Sequence, residues 1–184
     1  MNNEMTIWTY LYDKIGNFYG TAALMGNLFA ESSLNPLNAT GNNGGLTNEQ
    51  YTTAADSGKN DNFVTDKVAY GLAQWRYHTR KRGLLDLARA QHKSVGNIYV
   101  QLEYLWTELQ SYKTVLNALC TATNIRTASD IVLLKYEKPA NTSEKVKEKR
   151  AAFGQKYFDK YALVSIQLNK TKALELITEL EKQI

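Results

Sequence analysis

The chain has 184 residues, 43% of them apolar and 11% aromatic, enough for one domain with a real core. Its formal charge is +4 and its pI near 9.0, a mild basic excess that helps approach to an anionic polymer without choosing among nucleic acid, membrane surface and cell wall. A single cysteine excludes an internal disulfide framework. Met1-Asn2-Asn3-Glu4 carries no basic segment and no apolar run of signal length follows, so no signal peptide is expected. Apolar stretches such as Ala22–Met25 and Ile131–Leu134 are far too short to span a bilayer, and no membrane association is expected.

Ile7, Leu11 and Ile15 recur at helical spacing with Trp8 and Tyr12, which predicts a first helix closed by Gly16. A second helix, Thr21 to Glu31, is apolar on almost every side and so belongs in a core. Asn35-Pro36 follows, and a residue before proline is pushed out of helical dihedrals. Glu31 is the only acidic side chain between Asp13 and Glu49. A lone carboxylate at such a helix end meets burial and the negative end of the helix dipole, both of which favour its protonated form. That is the condition a general acid needs near neutral pH.

From Leu37 to Phe63 asparagine and glycine dominate, as in Gly41-Asn42-Asn43-Gly44-Gly45. A surface excursion of this length is expected to be functional or mobile. Thr47-Asn48-Glu49-Gln50 fits a capping box for one short helix within it, with Gly58 as its stop. Tyr70-Gly71-Leu72-Ala73-Gln74-Trp75 reads as a glycine-containing aromatic turn. A basic run, Arg76 to Arg82, leads into Leu84–Ala88.

Ile98, Leu102, Leu105, Trp106 and Leu109 form the cleanest helical stripe, with Asn97 as N-cap. Tyr112, Val115, Leu116 and Leu119 continue as another helix, in which Cys120 is expected to pack as a buried apolar side chain. Thr127 and Asp130 are expected to cap a further helix through Ile131 and Leu134, ended by Pro139, and Ser143 to start a basic helix from Glu144 to Tyr161. No strand alternation is evident, so the fold class is all-α or nearly so. Leu163, Ile166, Ala173, Ile177, Leu180 and Ile184 recur at heptad-like spacing, interrupted by Lys170. The division is therefore 1–162 as the main helical domain and 163–184 as a C-terminal helical extension, open to docking, linking to a further domain, or self-association.

Three stretches, Gly26–Pro36, Tyr70–Trp75 and Lys135-Tyr136-Glu137-Lys138-Pro139, resemble in order the signatures of the phage tail lysozyme family. Gln101–Leu109 and Arg150–Tyr161 resemble it too, and the likeness spans roughly residues 5 to 162. The resemblance implies a lysozyme-like helical fold that cleaves the glycan strand of bacterial peptidoglycan, related to goose-type lysozymes and soluble lytic transglycosylases. It places the catalytic glutamate on Glu31 and the cleft-lining turn on Tyr70, Gly71, Gln74 and Trp75. Gln74 would hydrogen-bond a sugar, with Tyr70 or Trp75 as a stacking face and Tyr136 nearby. It also implies action in a phage tail or at the host cell wall, with no cofactor.

Glycosidic cleavage needs a proton delivered to the leaving oxygen, and an inverting hydrolase needs a second carboxylate about 6.5–9.5 Å from the first. Asp56, Asp61 and Asp66 in the loop region are candidates, Asp66 foremost, and Glu137 before Pro139 is another. Glu137 could instead be an ion pair holding the last helix. Without a second carboxylate, the sugar's own hydroxyl could attack, which makes the enzyme a lytic transglycosylase. His78 and His92 lack a zinc spacing, so no metal is expected. Arg76–Arg82 interleaves charge and aromatics as nucleic-acid surfaces do, but a run this short reads as a solvated helix face, and no nucleic-acid partner is expected. A tail component with a dead site is the remaining alternative.

Overall fold

A computed structural model describes residues 3–59 and 62–162. Eight α-helices build it: α1 (Asn3–Ile15), α2 (Phe18–Ser32), α3 (Asn48–Asp56), α4 (His78–Ala90), α5 (Ile98–Ser111), α6 (Lys113–Cys120), α7 (Ile125–Val132) and α8 (Glu144–Tyr157). The expected all-α character holds apart from a minimal sheet, β1 (Ala39–Thr40) antiparallel to β2 (Ala69–Tyr70), with Ala39 opposite Tyr70. The proposed extension at 163–184 and Asp61 lie outside the described residues. No described helix is long and apolar enough to cross a membrane.

The organising element is α2. Its residues from Gly20 to Leu28 are all buried, as an all-round apolar helix requires. Asn17 caps its first turn by accepting from the Gly20 amide at 3.0 Å. The helix runs one residue past Glu31, to Ser32, and ends through Ser33 in the left-handed conformation, whose amide donates to the Phe29 carbonyl. Helices α1, α6, α7 and α8 pack around it.

The α2–α8 contact is close because glycines face each other. A Cβ on Gly26 would lie 2.5 Å from the Arg150 carbonyl oxygen and 2.8 Å from the Gly154 Cα, and one on Gly154 would lie 2.8 Å from the Ala22 oxygen. Glycine inside a helix costs roughly 1 kcal/mol relative to alanine. Here it lets two backbones approach within reach of one side chain, Arg150.

Helix α3 carries the expected capping box between Thr47 and Gln50, and Asn97 caps α5 by accepting from Tyr99 and Val100. Elsewhere the boundaries differ from expectation. Helix α7 begins earlier, at Ile125, capped by Asn124 rather than by Thr127 or Asp130. It then widens into a π-helical turn over Leu133–Glu137, and Lys138 leaves in the left-handed conformation. A second π turn, Phe158–Ala162, ends the described chain. Cys120 is exposed rather than buried, because it occupies the outer face of the last turn of α6.

Candidate active site

Glu31 reaches the surface from the last turn of α2, and its side chain is 20% exposed. It is not alone in apolar surroundings, as its sequence neighbourhood suggests. Arg150 on α8 donates from Nη2 to Glu31 Oε1 at 2.5 Å and from Nη1 to Glu137 Oε2. The guanidinium is 9% exposed and is held from behind by α2, since Nη1 also donates to the backbone oxygen and Oδ1 of Asn27, each at 3.3 Å. Asn27 is itself fixed by donating to the Ala23 carbonyl and to Ser129 Oγ, both at 2.9 Å.

Glu137 completes the cluster. The π turn delivers it, and such turns recur at functional sites. Its side chain is 4% exposed. Burial pushes its carboxyl up to about 8; Arg150 opposes this, while the charge of Glu31 and a hydrogen bond between the two carboxyl groups add to it. Glu137 Oε1 is buried without a protein donor.

Both carboxyl groups open into a cavity of about 400 Å³, whose other wall holds Thr40, Gln74, Tyr77 and Arg80. The Tyr70–Trp75 turn forms that wall. Tyr70 and Trp75 exchange backbone hydrogen bonds at 3.1 and 2.9 Å, closing a four-residue loop with Gly71 (φ +76°) and Gln74 (φ +47°) both left-handed. A Cβ on Gly71 would meet Gln101 Oε1 at 2.6 Å. Gln101 is the clasp: its Oε1 accepts from the Leu72 amide at 2.9 Å and its Nε2 donates to Pro36 and Val95 carbonyls at 2.7 and 2.9 Å.

Several residues expected in the cleft are elsewhere. Trp75 is fully buried and donates from Nε1 to Glu108 Oε2 at 2.7 Å, so it cannot stack on a sugar. Tyr70 is also fully buried, with its hydroxyl 2.7 Å from Thr52 Oγ1. Tyr136 is buried, and its hydroxyl donates to the same Glu108 oxygen at 2.7 Å. Arg80 completes this hub with two donors, Nε to Oε1 at 2.6 Å and Nη2 to Oε2 at 2.8 Å. Gln74 does line the cavity. Its amide nitrogen is spent on the Asn38 and Gly71 carbonyls at 3.1 and 2.9 Å, and its oxygen accepts from Thr40 Oγ1 at 2.5 Å.

Asp66 is away from the cleft. It accepts from Lys81 Nζ and from the Tyr51 hydroxyl, each at 2.6 Å, and so compensates a fully buried lysine. Asp56 accepts from the Val95 amide at 2.7 Å and faces a different hollow.

Sequence reasoning missed Arg150, Tyr77 and Glu108. Arg150 was foreshadowed by Gly26 and Gly154, two mid-helix glycines that signal close helix packing. Tyr77, 74% exposed, is the aromatic face the cavity presents, two residues past the tryptophan expected to do so.

A mostly helical domain with a half-buried glutamate at the end of its central helix, opening on a cleft walled by a glycine turn, is lysozyme-like in fold. The chain belongs to the phage tail lysozyme family, whose sequence profile matches residues 2–161. Membership makes it a lysozyme-like enzyme that degrades peptidoglycan, with a place in the phage tail or at the cell wall. No curated protein matches the chain.

Proposed function

We propose that the chain cleaves the bond between N-acetylmuramic acid and N-acetylglucosamine in peptidoglycan, with Glu31 as the acid. The observation that carries this reading is the shared wall: Glu31 and Glu137 open together into the cavity faced by the glycine turn, joined by Arg150. Two carboxyl groups in contact beside one guanidinium hold a single proton between them. Glu31, the more exposed, delivers it to the leaving sugar oxygen as the oxocarbenium-like centre forms. Arg150 steadies the carboxylate left behind. That carboxylate then takes a proton from the attacking hydroxyl, which restores the pair.

The attacking group is either water, as in a muramidase, or the muramic sugar's own hydroxyl, as in a lytic transglycosylase. One observation favours the second. The candidate second carboxylates are committed elsewhere, Glu137 to Arg150, Asp66 to Lys81 and Asp56 to the Val95 amide, whereas an inverting hydrolase needs one free to activate a water opposite the acid. Mass spectrometry of digested peptidoglycan decides. Reducing muramic ends mean hydrolysis and anhydromuramic ends mean internal attack, whereas reducing glucosamine ends overturn the choice of bond.

A further inference from the structure

A second cavity, of about 460 Å³, abuts the first, and Arg76 and Tyr77 line both. Its floor is apolar, with the buried side chain of Val64, and its rim carries Lys67, Arg76 and His78. None of its described lining residues is acidic. We propose that this cavity binds the acidic peptide branch of the substrate, taking a carboxylate of the stem that hangs from the muramic sugar. The inference rests on the glycan-cleaving reading of the neighbouring site.

Three features carry it. The first is uncompensated charge. Arg80, Lys81, Arg126 and Arg150 are all paired with carboxylates in this molecule. Lys67 has no side-chain hydrogen bond or ion pair among the described residues. Arg76 spends only its Nε, on the Lys67 carbonyl at 2.9 Å, and its two terminal nitrogens have no acceptor among the described residues.

The second feature is backbone held against its preference. Lys67 is a non-glycine residue at φ +60°, a conformation uncommon outside glycine and asparagine. The bond from Arg76 and the Asp66 side chain, which accepts from the Val68 amide at 2.9 Å, fix this turn. Strain of this kind is concentrated at ligand sites. It sets the lysine at the cavity rim.

The third is continuity. Tyr77 precedes α4 as its N-cap but makes no capping hydrogen bond from its side chain, and its ring stands exposed where the two cavities meet. A sugar lying over this ring from the Glu31 side places its substituent on the Lys67 side. The neutral sugars of the strand offer these cations nothing to neutralise. The peptide stems, with their free carboxylates, do.

The test compares three forms of purified glycan strand: bearing native stems, bearing stems whose carboxylates have been amidated, and stripped of stems by an amidase with the lactyl carboxylate so freed then capped as an amide. The protein is used unaltered and as Lys67→Asn, which removes the charge and keeps a side chain that tolerates the left-handed backbone. For the unaltered protein, KM is expected to be several-fold lower on native stems than on the other two. Lys67→Asn is expected to raise KM on native stems about two- to five-fold, the range of one partly exposed ion pair, and to leave KM on amidated and stripped strands unchanged. Equal KM on all three strands, or an equal change on all three in the variant, overturns the inference while glycan cleavage stands. Failure to cut any strand overturns both.

Discussion

The guanidinium of Arg150 donates to Glu31 across 2.5 Å although 119 residues separate the two in the chain. The same guanidinium holds Glu137. This one cation therefore ties together two carboxyl groups that would otherwise repel each other.

Glu31→Gln keeps an oxygen for Arg150 to donate to and removes the acid. Lysis of purified cell walls by this variant should fall by about 10²- to 10⁴-fold, while its thermal midpoint stays close to that of the unaltered protein. Retained lysis would eliminate Glu31 as the proton donor.

Glu137 links stability to pH. Its carboxyl titrates near 8 in the folded chain against an ordinary value of 4.5. Between those values the folded state holds a proton that the unfolded state has lost, so the contribution of Glu137 to stability should be full below about pH 4.5 and decline as pH rises to about 8. Glu137→Gln mimics the protonated group, with its amide able to donate to Glu31. Denaturation at a series of pH values should show this decline in the unaltered protein and a flatter profile in the variant.

Removing Arg150 leaves two carboxyl groups buried together without their cation. Arg150→Met removes the cation that holds the Glu137 carboxyl down and should cost about 3–5 kcal/mol at pH 8. The loss should be much smaller at pH 5, where Glu137 takes up a proton. A cost equal at both pH values in urea denaturation would show that Arg150 acts by packing rather than charge.

Trp75 and Tyr77 should separate stability from binding. Trp75→Phe removes the indole donor from Glu108, at a cost of about 1–3 kcal/mol, and should leave KM for cell-wall fragments unchanged. Tyr77→Ala should do the reverse, raising KM about 2- to 10-fold, the equivalent of an aromatic contact of about 0.5–1.5 kcal/mol, with little change in stability. A rise in KM with Trp75→Phe would restore the tryptophan to the cleft.

Much of the local structure was legible in the residues. The all-round apolar run to Leu28, the Thr47–Gln50 capping box, the Asn97 cap and the glycine turn at Gly71 all depend on neighbours a few positions away, and each forms as its chemistry requires. The start of α7 was not legible, because Asn124 competes with Thr127 and Asp130 as a cap and packing against α2 and α8 decides the outcome. The π turn that aims Glu137 inward likewise has no periodic signal.

By itself the sequence determined a helical body, a glutamate at the end of its central helix and a glycine-containing turn at Tyr70–Trp75, since propensity, capping and apolar periodicity act over short distances. Tertiary structure alone decided that Glu31 meets Arg150 and Glu137, that Trp75 turns inward to Glu108, and that Tyr77 turns out to the cleft. A side chain's electrostatic surroundings are set by whatever folding brings within a few ångströms, and here those groups come from helices at opposite ends of the chain.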